Sequence, residues 1–402
     1  MAFSDSQNGI CIIMFTGKGL REYPMATISY LEGKANADMR TVARYTRTLD
    51  NRLGSLIWAD GEMMTDYQLF GDVLAFDSTY QSNKYRKPLV VFSGSNHHKQ
   101  TSILGFALLE DEEVHTYRCV LMNLLDVIGK KKPCVVVTDG DKAMRTAIAE
   151  VMPTTTHRIC GWHLEKNCVQ RVKEAEFHKV FRKAIYENFE IIEFEEYWKA
   201  SVESLAYMIT IGTTSRCEGI NAFIKGFLKS TDSILELVHS LDRVVKDYRN
   251  NEVTAQLYST YYSPVLTTGH VSIKRFASKV YTRAVFKEVK KQIKVVATLL
   301  FRGKDSISTT TVYTFSRMGK PNRTHKYEGL EEILPGLILR RWCKDARDCR
   351  STPVDSKDGP EGRLLRYGTL CGAMSLVAEL GAEDAVEFVV AGDGIANLTE
   401  VL

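Results

Sequence analysis

Apolar and polar positions change rhythm several times along this chain, and each change predicts an element. Asp72-Val-Leu-Ala-Phe-Asp-Ser-Thr79 alternates and then turns polar, which predicts a strand. Pro88 to Ser95 and Ser102 to Glu110 predict two more, with the loop Asn96-His97-His98-Lys99-Gln100 between them. Three strands with short connections suggest an antiparallel meander. Val114, Tyr117, Val120, Leu121, Leu124 and Val127 then fall near helical spacing, so Glu113 to Ile128 reads as a helix ended by Gly129. Cys134-Val-Val-Val-Thr138 is nearly all apolar, the pattern of a central strand covered on both faces. A helix from Lys142 to Val151, stopped by Pro153, leads to a fifth strand at His157 to Cys160.

Outside this block the rhythm differs. Residues 1 to about 65 are polar with short helical stretches. From Leu164 to Asn250 the pattern is helical, with Phe177, Val180, Phe181 and Ile185 on one face and Leu235, Leu237, Val238, Leu241 and Val244 on another. Residues 300 to 335 are polar and β-prone, Arg350 to Glu361 reads as a linker, and Arg363 to Leu402 as a helical tail.

Composition narrows the class. With 402 residues the chain has room for two or three domains at roughly 150 residues each. Its 44% hydrophobic and 25% charged residues exclude a mainly disordered, collagen-like or coiled-coil chain. A formal charge of +4 is too dilute for binding nucleic acid by bulk charge alone. The apolar run Ile10 to Phe15 follows Asp5 without a basic residue and is too short for a signal peptide or a membrane span, so no membrane partner is expected. Nine scattered cysteines point to a reducing compartment, cytosol or nucleus, rather than a disulfide framework.

The strand and helix order is that of a ribonuclease-H-like fold. The expected architecture is α/β, a mixed sheet with flanking helices and a largely helical C-terminal region. In such a fold Asp77, late in the first core strand, Asp139, at the end of the fourth, and Glu218, at the start of a later helix, would be candidates for a carboxylate triad. Three such acids can hold two magnesium or manganese ions for phosphodiester chemistry. The competing reading is local: acids at strand ends form turns and cap helices, and Asp139-Gly140-Asp141 before a helix suits capping equally well.

Four strings carry a family resemblance: Phe70 to Tyr85 around Asp77, Val137 to Met144 around Asp139, Cys160-Gly-Trp-His163-Leu164, and Ser215-Arg-Cys-Glu218-Gly-Ile-Asn221. With Tyr30 to Lys34, Asn51 to Gly61, Val280 to Arg283 and Ile338 to Trp342, they resemble, in order, the plant far-red-impaired-response proteins, regarded as descended from Mutator-like transposases. The resemblance implies a transposase-derived nuclear regulator of transcription associated with light signalling. It implies a division into an N-terminal segment (1–65), a transposase-like core (66–235), a helical extension (236–300), a degenerate zinc-finger region (301–349), a linker (350–362) and a tail (363–402). Asp77, Asp139 and Glu218 match the family's acidic positions, and retained acids do not by themselves establish catalysis.

The chain departs from the family pattern in three places. Before Asp72 the only thiol or imidazole is Cys11, whereas a structural zinc site normally needs four ligands. There is no C-x-C of the kind that opens a SWIM-type finger, and Gly303 to Leu334 contains only His325. Fourteen residues separate Trp198 from Thr213, where the family has a longer helical insertion. The chain therefore reads as a shortened or degenerate member, or as an imperfect gene model. Stoichiometric zinc is not expected, and magnesium only if the triad is active.

Other candidates are weaker. Cys160 and His163, beside His157 and with Cys168 next in sequence, form half a zinc site or a buried strand residue and a helix-start histidine. Cys343 and Cys349 make no metal site alone. Lys84, Arg86 and Lys87, with Tyr80 and Tyr85, are nucleic-acid contact candidates, or a solvated turn. His97 and His98 are expected to be exposed in their loop. The leading expectation is a non-enzymatic regulator pairing with related chains and touching DNA weakly. The alternatives are an active transposase and a fragment that dampens full-length relatives.

Overall fold

The computed structural model describes residues 24–347 and 389, except 39, 51, 80–82, 129–130, 174, 188, 190, 203–215, 263, 265, 267–270, 297–298, 308–309, 318–319, 328–332 and 334–337. The expected linker and nearly all of the expected tail lie outside the described residues. The chain divides into two units, one of residues 1–94, 101–248 and 352–402, the other of residues 95–100 and 249–351.

The first unit is built on an eight-stranded mixed sheet. Its strands are β1 (Val42–Arg47), β2 (Leu53–Ala59), β3 (Val73–Ala75), β4 (Ser78–Thr79), β5 (Leu89–Ser95), β6 (Thr101–Leu108), β7 (Val135–Thr138) and β8 (Thr156–Ile159). They lie in the order β1-β2-β6-β5-β3-β7-β8, with β4 paired to β5. β3 runs antiparallel to β5 and parallel to β7, which is parallel to β8. The connection of residues 96–100 is too short for a parallel crossover, so β5 and β6 form a hairpin. The arrangement agrees with the ribonuclease-H-like element order.

Alternation along the strands divides the core between two faces. Leu89 and Val91 of β5 join Trp58, Phe106 and Leu108 on one face, covered by α1 (Pro24–Ala37), α8 (Arg216–Lys225) and the first half of α9 (Ile234–Tyr261). Val90 and Phe92 join Leu74, Phe76 and Leu104 on the other, covered by α3 (Val114–Val127) and α4 (Lys142–Val151), while α2 (Gly61–Phe70) gives Met63 and Met64 to the first cluster and Tyr67 to the second. Each large apolar side chain buried this way contributes about 1.5–3 kcal/mol. α5 (Gly161–Arg171), α6 (Ala175–Tyr186) and α7 (Ile191–Val202) follow β8, with Cys168, Phe177 and Phe181 forming their own cluster.

Residues 1–65, expected to be helical and irregular and to precede the core, instead supply β1 and β2 to this sheet, which has eight strands rather than five. The polar residues that disguise β1 are satisfied by partners that the fold brings to them. Arg44 bonds Asn123 at 3.1 Å and Asp126 at 2.7 Å on α3, and Thr46 Oγ1 accepts from the Ser55 N–H. A Cβ at Gly54 would collide with Thr46 Oγ1, which explains a glycine inside β2.

The second unit holds the rest of α9, α10 (Val271–Val280) and α11 (Arg283–Val296). Ala277, Tyr281 and Phe286 form its apolar centre, with Val285, Val289, Ile338 and Trp342 against it. The β-prone stretch becomes a three-stranded antiparallel sheet of β9 (Leu299–Ile307), β10 (Thr310–Arg317) and β11 (Lys320–Tyr327). His97 and His98 are buried here, contrary to the expectation of an exposed loop. Both Nε2 atoms face Gln256 Oε1, at 3.3 and 2.9 Å, while the Gln256 amide nitrogen donates to the Lys344 carbonyl. That orientation assigns the proton of each imidazole to Nε2.

Candidate acidic site and its histidine

β3 and β7 pair in parallel with Ala75 opposite Val137, and the Phe76 N–H continues the ladder to the Val137 carbonyl at 3.0 Å. Carrying the register two residues on sets Asp77 level with Asp139, at the carboxyl ends of neighbouring parallel strands. Open α/β sheets commonly place ligand sites at that edge.

Asp77 is only 5% exposed, and its Oδ2 has two neighbours. Asn221 Nδ2 donates to it at 3.3 Å from α8, and His163 Nε2 lies 3.6 Å away from the first turn of α5. Burial opposes charge on His163. A hydrogen bond with Cys160 and the fields of Asp77 and Asp139 outweigh it and raise the imidazole pKa above its ordinary value. Cys160 is fully buried at the N-cap of α5, its N–H bonded to the Thr138 carbonyl at 2.7 Å. The Trp162 ring meets His163 edge-on at 4.9 Å.

Asp139 and Asp141 divide the labour at the end of β7. Asp141 caps α4 through its side chain, accepting from the Met144 N–H at 3.0 Å. Asp139 Oδ1 accepts from the Asp141 N–H at 2.9 Å, across Gly140 at a φ of +92° that favours glycine. Glu218 falls in α8, three residues before Asn221, and its side chain lies outside those described. The structure therefore brings Asp77, Asp139, Cys160 and His163 to one edge of the sheet.

A two-ion centre needs open carboxylate oxygens. Asp77 instead faces an imidazole whose protonation it favours, and it already accepts from Asn221, so the described donors do not fit a pair of divalent cations. Among the described residues, no three His, Cys, Asp or Glu side chains converge in a metal-holding cluster.

Of the basic candidates, Lys84 and Arg86 are exposed, but Lys87 is turned inward, with Nζ donating to the Gly54 carbonyl at 2.7 Å and its pKa lowered by burial. Asn83 organises this turn, accepting from the N–H groups of Tyr85 and Lys87. Tyr80 lies outside the described residues. The residue that sequence reasoning left without a role is Asn221. The available signal was its position one helical turn beyond Glu218.

Residues 73–167, from β3 into α5, match the MULE transposase domain. Three proteins of Arabidopsis thaliana are similar over most of the chain. FAR1-RELATED SEQUENCE 5 is 24% identical over 70% of this chain, FAR-RED IMPAIRED RESPONSE 1 is 25% identical over 83%, and FAR1-RELATED SEQUENCE 4 is 27% identical over 83%. The chain spans about half the length of these relatives, from 40% to 53%. The sheet and the domain match define a transposase-derived α/β protein. Within that class, the chain is similar to the far-red-impaired-response-related proteins of plants.

Proposed function

We propose that this chain is a transposase-derived regulator of transcription. It works in the nucleus, in far-red light signalling, through contacts with DNA and with related chains rather than by cutting DNA. The observation that carries the non-catalytic part is the engagement of Asp77 by Asn221 and His163. A carboxylate of a metal centre presents its oxygens to cations, whereas this one ties α5 and α8 to the end of β3. The relative named FAR-RED IMPAIRED RESPONSE 1 supports the signalling context. Among the described residues no helix is long and apolar enough to cross a membrane, which is compatible with a nuclear site of action.

The test is incubation of the chain with supercoiled and linear DNA in magnesium or manganese, beside a reporter read in plant cells in darkness and far-red light. The expected result is unbroken DNA, a nuclear tagged chain and a reporter response that differs between the two light conditions. Strand cleavage or joining that disappears in Asp77→Ala, Asp139→Ala and Glu218→Ala would replace this reading with that of a transposase. The position of Asp77 and Asp139 on adjacent parallel strands is what favours that second reading.

A further inference from the structure

The charge of this chain is unevenly distributed. Residues 271–296 carry eight Lys and Arg against one acid, Glu288, while the whole chain has 53 basic and 49 acidic residues. The remainder is therefore slightly acidic, and the positive charge is concentrated in α10 and α11.

Lys274 of α10 is buried and takes no part in the surface, whereas helical geometry gathers the charges of α11 into a stripe. Arg283, Lys287, Lys290 and Lys291 stand at i, i+4, i+7 and i+8 of α11, and Lys294 continues the spacing. Arg283, Lys287 and Lys291 are exposed and Lys290 half-buried, while Phe286, Val285 and Val289 turn the opposite side of the helix into the apolar centre of the unit. α10 adds the exposed Arg275 and Lys279. The single acid is engaged, with Lys291 Nζ 3.1 Å from each oxygen of Glu288. Like charges four residues apart destabilise a helix, so the stripe carries a repulsion that a bound polyanion would relieve.

We propose that the α10–α11 face binds the phosphate backbone of double-stranded nucleic acid without reading its sequence. From position 283 to position 294 the helix rises about 16 Å, and B-form DNA carries one charge per roughly 1.7 Å of axis, so several phosphates lie within reach of a straight stripe. An anionic membrane fits less well. A helix lying on lipid inserts an apolar face, whereas here that face is already buried, and among the described residues of 271–293 no large apolar side chain is exposed. The inference deepens the regulatory reading by naming a surface for its DNA contacts, and the two fail separately, because duplex binding is measured without reference to transcription or cleavage.

The test uses the full chain and a random-sequence 30-base-pair duplex (about three helical turns), with binding followed by fluorescence anisotropy from about 50 to 200 mM salt. Wild type is expected to bind with a steep salt dependence. K287E/K290E/K291E should lose affinity about tenfold or more, with a salt slope smaller by about 3. K287Q/K290Q/K291Q, which removes charge without reversing it, should lower the slope in the same direction. The control K132E/K173E/K246E makes the same change in net charge at exposed lysines of the first unit and should bind nearly as wild type does. Thermal melting of each variant verifies that it is folded. The proposal is overturned if wild type fails to bind at the lowest salt, or if the control weakens binding as much as the α11 variants. It is also overturned if vesicles of phosphatidylserine and phosphatidylcholine, rather than the duplex, are bound through this face.

Discussion

The contact between Asn221 and Asp77 sets a local rule, since the amide is tolerated where a second carboxylate would not be. Asn221→Asp keeps the shape and places a like charge about where the amide nitrogen now lies, 3.3 Å from Asp77 Oδ2. At pH 8 this should destabilise the chain by about 1–3 kcal/mol, because one of two adjacent carboxylates must have its pKa raised by one or two units. At pH 5 the pair takes up a proton and the loss should shrink. The raised pKa of His163 acts in the same direction: its stabilisation is complete below its unfolded value of 6.5 and is lost as pH rises through its folded value. Asn221→Ala removes only a hydrogen bond, about 1 kcal/mol, and should show no such additional pH dependence. Thermal unfolding of both variants at the two pH values makes the check, and an Asn221→Asp deficit as large at pH 5 as at pH 8 would refute the account. The aspartates were legible from sequence because strand ends announce themselves. Asn221 was not, because an amide has no titratable or metal-binding signature and gains its role only from packing across the sheet.

At the scale of elements, period-two and near-helical patterns were sufficient for β3, β5, β6, β7, β8, α3 and α4, where one kind of environment runs the length of each segment. They failed for β1 and β2. Arg44 and Arg47 interrupt the first, Gly54 and Ser55 the second, and the partners that satisfy these positions, Asn123 and Asp126 on α3 for Arg44, are distant in sequence. The end of β7 separates the two readings of its acids. Asp141 is a cap, so Asp141→Ala should cost about 1 kcal/mol in denaturant unfolding. Asp139→Asn preserves the side-chain oxygen that accepts the Asp141 N–H and should stay within about 0.5 kcal/mol of wild type. Equal losses in the two variants would mean that the cap assignment is wrong.

At the scale of the whole molecule, the second unit has a buried pair that makes it acid-sensitive. Burial, the neighbouring His98 ring and Arg347 lower the pKa of His97 to about 3 despite Glu252 and Gln256, and burial lowers that of His98. His97 is therefore neutral at pH 7. Its 3.6 Å approach to Glu252 is not an ion pair, and the carboxylate is instead matched by Arg347 at 2.8 Å. Both histidines hold fewer protons in the native state than in the unfolded one, so stability falls as pH drops below 6.5 and continues to fall towards 3 for His97. Between pH 7 and pH 5 His97 alone should cost about 2 kcal/mol. Glu252 adds nothing to this window, because the stabilisation from its lowered pKa is lost only below its unfolded value near 4.5. Hydrogen exchange, corrected for the intrinsic effect of pH, should show segments 249–261 and 271–293 losing protection at pH 5 while β2 and α3 keep theirs. His97→Gln with His98→Gln should flatten the response, even if the variant is less stable at pH 7. An acid response of the same size in that variant would place the proton uptake elsewhere and remove the buried pair as its cause.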